Sequence, residues 1–354
     1  MPPMLRSRST AATVFLLAAL LLGCDTTTQT EAPSSSSAAA TETAHRARGR
    51  IVVANRAAGT LSVIDTGTNA VVATVPLPGP APEPMYVVYT PAKNRVFVGD
   101  RANNHVVAFD ARDFSVDGTV PAGGIFHMWA DPQSKQLWVV DNVNNALTVI
   151  DPKRLTVVTT VPVTGGTPHD VVLDPQGRYA FVSVFADVGP DQVAKYSTQT
   201  FAEVGRVDAG ADPHVSLARQ NGRLYVPSQN ANTLFVFDRE TLAEVATLDV
   251  PGAHGAGMAR NGQVFYTTNL PGGGTDGLFA IDTRTNTVIG STDTPFPVPH
   301  NIALTPNGKA LYLTHSGGAS DAVTVYTMSR RDPVPDYAAT VTVGLNPFGI
   351  AYVP

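Results

Sequence analysis

The sequence predicts an all-β chain, a seven-bladed β-propeller of four-stranded blades whose C-terminal strand closes the first blade. Three observations predict it. A short phrase returns seven times, matching points along the chain recur every 40 to 46 residues, and every interval holds the same four apolar runs. Repeats of that period, each with four strands, indicate propeller blades.

The repeats begin at Ile51, Arg95, Gln136, Arg178, Arg223, Gln263 and Lys309. In the third the runs are Leu137-Val140, Leu147-Ile150, Val157-Val161 and Val171-Leu173. They are short, rich in Val, Ile, Tyr and Phe, and separated by Asn-Asn, Asp-Pro and Gly-Gly turns, the signature of strands and hairpins rather than helices. The chain opens on a run of the first type, at Ile51, and its last run, Gly349-Tyr352, is of the fourth type. A ring therefore closes if that last strand joins the first blade as its innermost member, which leaves no dangling edge. Trp129 and Trp138 fall in strand patterns and are expected to pack between blades.

Ahead of the repeats, residues 1–24 read as a lipoprotein export signal. Arg6 and Arg8 form a positive start, and Ala11 to Leu22 is an apolar run too short to span a bilayer. The run ends Leu21-Leu22-Gly23-Cys24, which resembles the lipobox of bacterial lipoproteins, and Cys24 is the only cysteine. A lipidated Cys24 would anchor the protein to a bacterial membrane, on the periplasmic or cell-surface side, without a spanning helix. Residues 25–49, rich in Thr, Ser and Ala, read as a flexible low-complexity tether, and residues 50–354 as the propeller.

The charge is low and mildly acidic, 24 Lys and Arg against 29 Asp and Glu. With no basic run beyond His45-Arg50, nucleic acid is not expected as a partner. There is no Gly-x-Ser-x-Gly elbow, phosphate-binding glycine loop or HExxH helix, and the single cysteine excludes thiol catalysis. A monomer is expected.

The order of motifs is distinctive. The pattern Pro-His-x-x-x-x-x-Pro-x-Gly, then Leu-Tyr-Val/Leu, then Val-x-Val-Ile-Asp, then Val-x-x-Thr-Val-Pro-Val is matched best by repeat three and by Pro299-Tyr312. This resembles the YVTN β-propeller family, including YncE-like proteins, over residues 51–354. The tetrapeptide that names the family is nowhere intact: the chain has Val52-Val53-Ala54-Asn55 and Leu313-Thr314-His315 in its place. The resemblance implies an exported seven-bladed ring and no single reaction.

Chemistry is concentrated in the recurring phrase, which reads Pro84-Met85-Tyr86-Val87, Ile125-Phe126-His127-Met128, Pro168-His169-Asp170-Val171, Pro213-His214-Val215-Ser216, Ala253-His254-Gly255-Ala256, Pro299-His300-Asn301-Ile302 and Pro347-Phe348-Gly349-Ile350. In a propeller it lies at the head of the innermost strand, at one mouth of the central channel. One register there holds Phe348, Met85, Phe126, His169, His214, His254 and His300, with His127 one place out of step.

Four neighbouring imidazoles, His169, His214, His254 and His300, are candidate ligands for a transition metal, copper first and iron or zinc next. The arrangement resembles the four inner-strand histidines of the carotenoid oxygenases. Met85, Phe126 and Phe348 would wall an apolar ligand, with His127, Asp141 and His315 as further binding candidates. Asp141 or Asp170 can orient an imidazole, or simply cap a turn. His315 is expected close to His300. Longer loops at Phe185-Asp191, Leu270-Gly277 and Ser316-Asp321 are expected above the histidine side.

Three functions remain open at this point. One is a membrane-tethered propeller binding a small molecule or partner protein on the histidine face. The others are a copper or iron oxidoreductase using the four histidines, and a lactonase- or lyase-type enzyme with a histidine base.

Overall fold

The computed structural model describes residues 49–217 and 220–354. The expected export signal, Cys24 and nearly all of the expected tether lie outside the described residues. Among those described, twenty-eight strands form seven four-stranded antiparallel sheets.

Blade one sets β1 (Arg50–Asn55), β2 (Thr60–Asp65) and β3 (Ala70–Pro76) outside an inner strand supplied from 297 residues further on. Blade two runs β4 (Pro84–Thr90), β5 (Arg95–Asp100), β6 (His105–Asp110) and β7 (Val116–Pro121). Blade three runs β8 (Ile125–Ala130), β9 (Leu137–Asp141), β10 (Ala146–Asp151) and β11 (Thr156–Pro162). Blade four holds β12 (Gly166–Leu173), β13 (Tyr179–Ala186), β14 (Gln192–Ser197) and β15 (Glu203–Asp208). In blade five are β16 (Ser216–Leu217), β17 (Arg223–Ser228), β18 (Thr233–Asp238) and β19 (Glu244–Asp249). Blade six has β20 (Ala253–Met258), β21 (Val264–Asn269), β22 (Gly274–Asp282) and β23 (Thr287–Thr294). Blade seven has β24 (Pro299–Leu304), β25 (Ala310–His315), β26 (Ala322–Thr327) and β27 (Asp336–Thr342). The last strand, β28 (Pro347–Val353), is the inner member of blade one, where Val353 pairs with Arg50 and Ile350 with Val53.

The sequence repeats are thus blades cut one strand out of phase, and the predicted closure is present. Apolar burial explains the order of strands within a blade. The second and third strands lie between two neighbouring blades, so both their faces are covered and they read as nearly continuous buried runs, as in Val52-Val53-Ala54 and Phe97-Val98. The fourth strands form the rim and are largely exposed, as the pattern of β3 shows. Each of the seven junctions between blades carries its own hydrophobic cluster: Val63 with Phe109 between blades one and two, Trp138 with Tyr196 between three and four, Tyr225 with Phe265 between five and six. At ~25 cal/mol per Å² of apolar surface, these junctions are what hold the ring together. Trp138 packs there as expected. Trp129 does not, and is 46% exposed.

Five of the seven third strands end in Asp, at Asp65, Asp110, Asp151, Asp238 and Asp282. Asp151, Asp238 and Asp282 accept from the backbone N–H groups two and three residues on, so the Val-Ile-Asp motif is an Asx turn in these blades. Loop 270–277 is shorter than expected, since β22 already begins at Gly274.

Candidate metal centre

The recurring phrase forms a bulge. In blades one to four, six and seven the register between the innermost strand and its neighbour slips by one at the phrase: between Pro168 and Val171, Ile125 and Met128, Ala253 and Ala256, Pro299 and Ile302, Pro84 and Val87, and opposite Val53 and Asn55. His169 and Asp170 therefore face the single residue Ser183. A bulge re-aims side chains that simple alternation would send to opposite faces. The freed backbone N–H is taken up by a hydroxyl on the facing strand: Asp170 donates to Ser183 Oγ, Gly255 to Thr268 Oγ1 and Asn301 to Thr314 Oγ1, at 2.8 to 3.0 Å. Gly255 is required for space, because a Cβ there would lie 1.8 Å from the His300 carbonyl oxygen.

The bulge changes the ligand set. His127 is one residue past the expected register, yet its ring joins the others, 5.3 Å from His169 and 5.8 Å from His214 between centroids. The nitrogens that converge, all within 4.8 Å of one another, belong to His127, His169 and His214, each buried. These three form a buried cluster capable of chelating a transition metal. The predicted set of four is corrected to this extent: His254 and His300 stand outside the converging group, and His127 stands within it.

His169 Nε2 and His214 Nε2 are 2.9 Å apart. Two nitrogens bound at about 2.05 Å to one metal, at a right angle, are also separated by about 2.9 Å. His127 Nδ1 lies 2.6 Å from Asp170 Oδ1, so the ring donates from Nδ1 and keeps the Nε2 lone pair for the cluster. Asp170 is itself fixed by the Val171 and Val215 N–H groups. Burial alone would raise its carboxyl, but His127 and these donors bring it below the usual carboxylate range. Burial, aided by neighbouring imidazoles, holds His169 well below its ordinary value, and His214 is pushed down to about 3 chiefly by burial. Both are thus neutral at physiological pH, the form that binds metals.

The remaining channel residues make a wall around the cluster. His254 lies 3.8 Å from His214, His300 4.7 Å from His254, and Phe348 4.2 Å from His300, between ring centroids. Phe126 closes the circle, 4.7 Å from His169 and 6.4 Å from Phe348. Met85 is fully buried within the apolar cluster between blades two and three. Asp141 caps its own turn, accepting from the Val143 and Asn144 N–H groups and the Asn144 amide. His315 is bonded at both nitrogens, to the Pro297 carbonyl and to Thr324 Oγ1. Three neighbours were not anticipated: Tyr86, with its ring 3.8 Å from His127; Phe185, stacked 4.3 Å from His169; and Asp212, with Oδ1 4.0 Å from His169 Nε2. The first was legible, since Tyr86 and His127 share the third place of the phrase.

Fold and site together define a seven-bladed propeller with a buried three-histidine cluster at the head of its inner strands. The chain matches the family described as outer membrane protein assembly factor BamB over residues 24–292, and it belongs to that family. No curated protein matches it in sequence. Among solved structures it is similar to hydrazine synthase of Kuenenia stuttgartiensis, with a TM-score of 0.63 and 18% identity over 76% of this chain and 89% of that one. It is also similar to a protein of Bacteroides uniformis described as a candidate 6-phosphogluconolactonase, with a TM-score of 0.69 and 17% identity over 86% of this chain and 99% of that one. At these identities the likeness is one of fold. Among the described residues no helix is long and apolar enough to cross a membrane.

Proposed function

We propose that this chain is an exported, Cys24-anchored propeller of the YVTN type that binds a transition metal at His127, His169 and His214. The observation that carries the reading is the 2.9 Å approach of His169 Nε2 to His214 Nε2 beside a His127 oriented by Asp170. Three imidazoles without thiolate suit copper, zinc or iron. An oxidoreductase follows if the metal is copper or iron, whereas zinc favours hydrolysis or a binding role.

A second reading, favoured by the family match, is that the histidine face docks a partner protein. The family's description names an assembly factor of outer membrane proteins, and a lipid anchor would keep the ring at a membrane surface. Arg56 and Glu83, paired beside the mouth, line a shallow cleft of about 320 Å³ with Pro82 and Ala102 on that surface.

The deciding experiment is metal content by mass spectrometry on the full chain, purified in detergent without a histidine tag, beside the H127A/H169A/H214A variant. Near-stoichiometric copper, zinc or iron that the variant lacks supports the first reading. An absence of metal after loading and desalting overturns it and leaves cross-linking to partners as the next step. The anchor has its own test, because C24S should move the protein from the membrane fraction to the soluble one.

A further inference from the structure

The two faces of the ring differ in charge. Strands alternate in direction within each blade, so the heads of the inner strands share one face with the histidines. The turns after each inner strand and each third strand lie on the opposite face.

On the histidine face Asp187, Asp208, Asp249 and Asp321 are exposed, with Asp191 and Asp212 half-buried beside them. The guanidiniums on that side are engaged. Arg56 is paired with Glu83 and Arg206 with Glu203, and Arg101 donates from Nη1 to the Gly124 and Ile125 carbonyls and to Asn142 Oδ1.

The opposite face reverses this. Lys135, Lys153, Arg260, Arg284, Lys309 and Arg331 stand exposed in its turns, and none of the six is in an ion pair. Many carboxylates there are spent: Asp131 and Asp174 are buried in their turns, and Asp110, Asp117 and Glu240 are paired with Arg112, Arg95 and Arg178. Asp113, Glu244, Asp332 and Asp336 are left exposed, fewer than the free cations. The chain also enters the ring on this face, since Arg50 at the start of β1 pairs with Val353 at the end of an inner strand.

We infer that the face opposite the histidines rests on the anionic headgroups of the membrane that holds Cys24, with the histidine mouth turned away. The inference rests on the anchor proposed above. The anchor alone does not choose a face, because the residues between Cys24 and Arg50 can reach about 85 Å at full extension. Charge does choose. Strands of six residues set the two faces about 20 Å apart, more than twice the ~8 Å over which physiological salt screens a charge. The bilayer therefore senses mainly the nearer face, attracting exposed Lys and Arg and repelling carboxylates. In this pose the mouth over His127, His169 and His214 opens to solution.

The test places the full lipidated chain in phosphatidylglycerol vesicles that carry an energy-transfer acceptor on their headgroups. A donor dye is attached at Thr285→Cys, in an exposed turn opposite the histidines, or at Val188→Cys, 89% exposed on the histidine face. Transfer should be stronger from position 285 than from position 188. The difference should vanish in phosphatidylcholine vesicles, in high salt and in K153E/R284E/K309E/R331E, all of which stay membrane-bound through the lipid. Equal transfer in phosphatidylglycerol, stronger transfer from position 188, or a difference that survives removal of either set of charges overturns the inference and leaves the anchor standing. A wild-type chain that takes up the dye at Cys24, or that does not float with the vesicles, removes the anchor and the inference together.

Discussion

His315 and His254 are both buried imidazoles of neighbouring blades, and they differ in almost everything else. His315 is fully enclosed in blade seven, its two nitrogens taken by Pro297 O and Thr324 Oγ1 at 3.1 and 2.8 Å. His254, in the channel, has neither nitrogen satisfied. Burial lowers the affinity of both for a proton, so burial alone does not separate a structural histidine from a chemical one. The separation comes from what surrounds the nitrogens: a closed hydrogen-bond ledger in the blade, and convergent, partly unpartnered nitrogens in the channel.

That contrast can be broken in four places. The largest effect is expected from H127A/H169A/H214A, in which bound metal should fall to background in competition with a chelator, while H315A should leave it unchanged. Loss of metal from H315A would erase the distinction. Next comes D170N, which keeps the shape but weakens the acceptor that orients His127. Metal affinity should drop about tenfold to a hundredfold, measured by competition with a coloured chelator, and an unchanged affinity would show that Asp170 only caps the bulge.

The third effect is on stability. His315 is held down to about 4 from 6.5, so the unfolded chain takes up its proton first as pH falls. The stabilisation is complete above pH 6.5 and is lost on the way down to about pH 4, on the order of 3 kcal/mol. Urea midpoints at pH 7 and pH 4.5 should therefore move further apart in wild type than in H315Q, and equal spacing would refute the assignment. The smallest effect is T268V, which strands the Gly255 N–H at the bulge and should cost about 1–3 kcal/mol. A urea midpoint unchanged from wild type would mean that this amide finds another acceptor.

Much of this was legible in the sequence. Short apolar runs, Asp-ended turns and a period near 40 residues define the blades, because each inner strand must be covered on both faces. The channel was readable only in part. Periodicity of two assigns alternate residues to alternate faces, so it set His127 apart from His169 and His214, and an inserted bulge residue leaves no mark in a hydrophobic pattern. Tyr86 comes from the neighbouring blade and Asp212 from the loop before β16, so packing between blades brings them to His127 and His169, whereas Phe185 lies beside His169 on the paired strand of the same blade. Trp129 shows the converse limit: a strand pattern marks its backbone and is silent on whether its ring is covered.

The pairing of Arg50 with Val353 has a consequence for the order of events during synthesis. Roughly three hundred residues must be made between the first strand of blade one and its inner partner, so this contact is among the most non-local in the molecule and closes late. Until then β1 carries an open inner edge that another chain's strand can occupy. Folding intermediates of this protein should therefore be vulnerable at one seam, and a short peptide spanning Pro347–Val353, added during refolding, should compete for it.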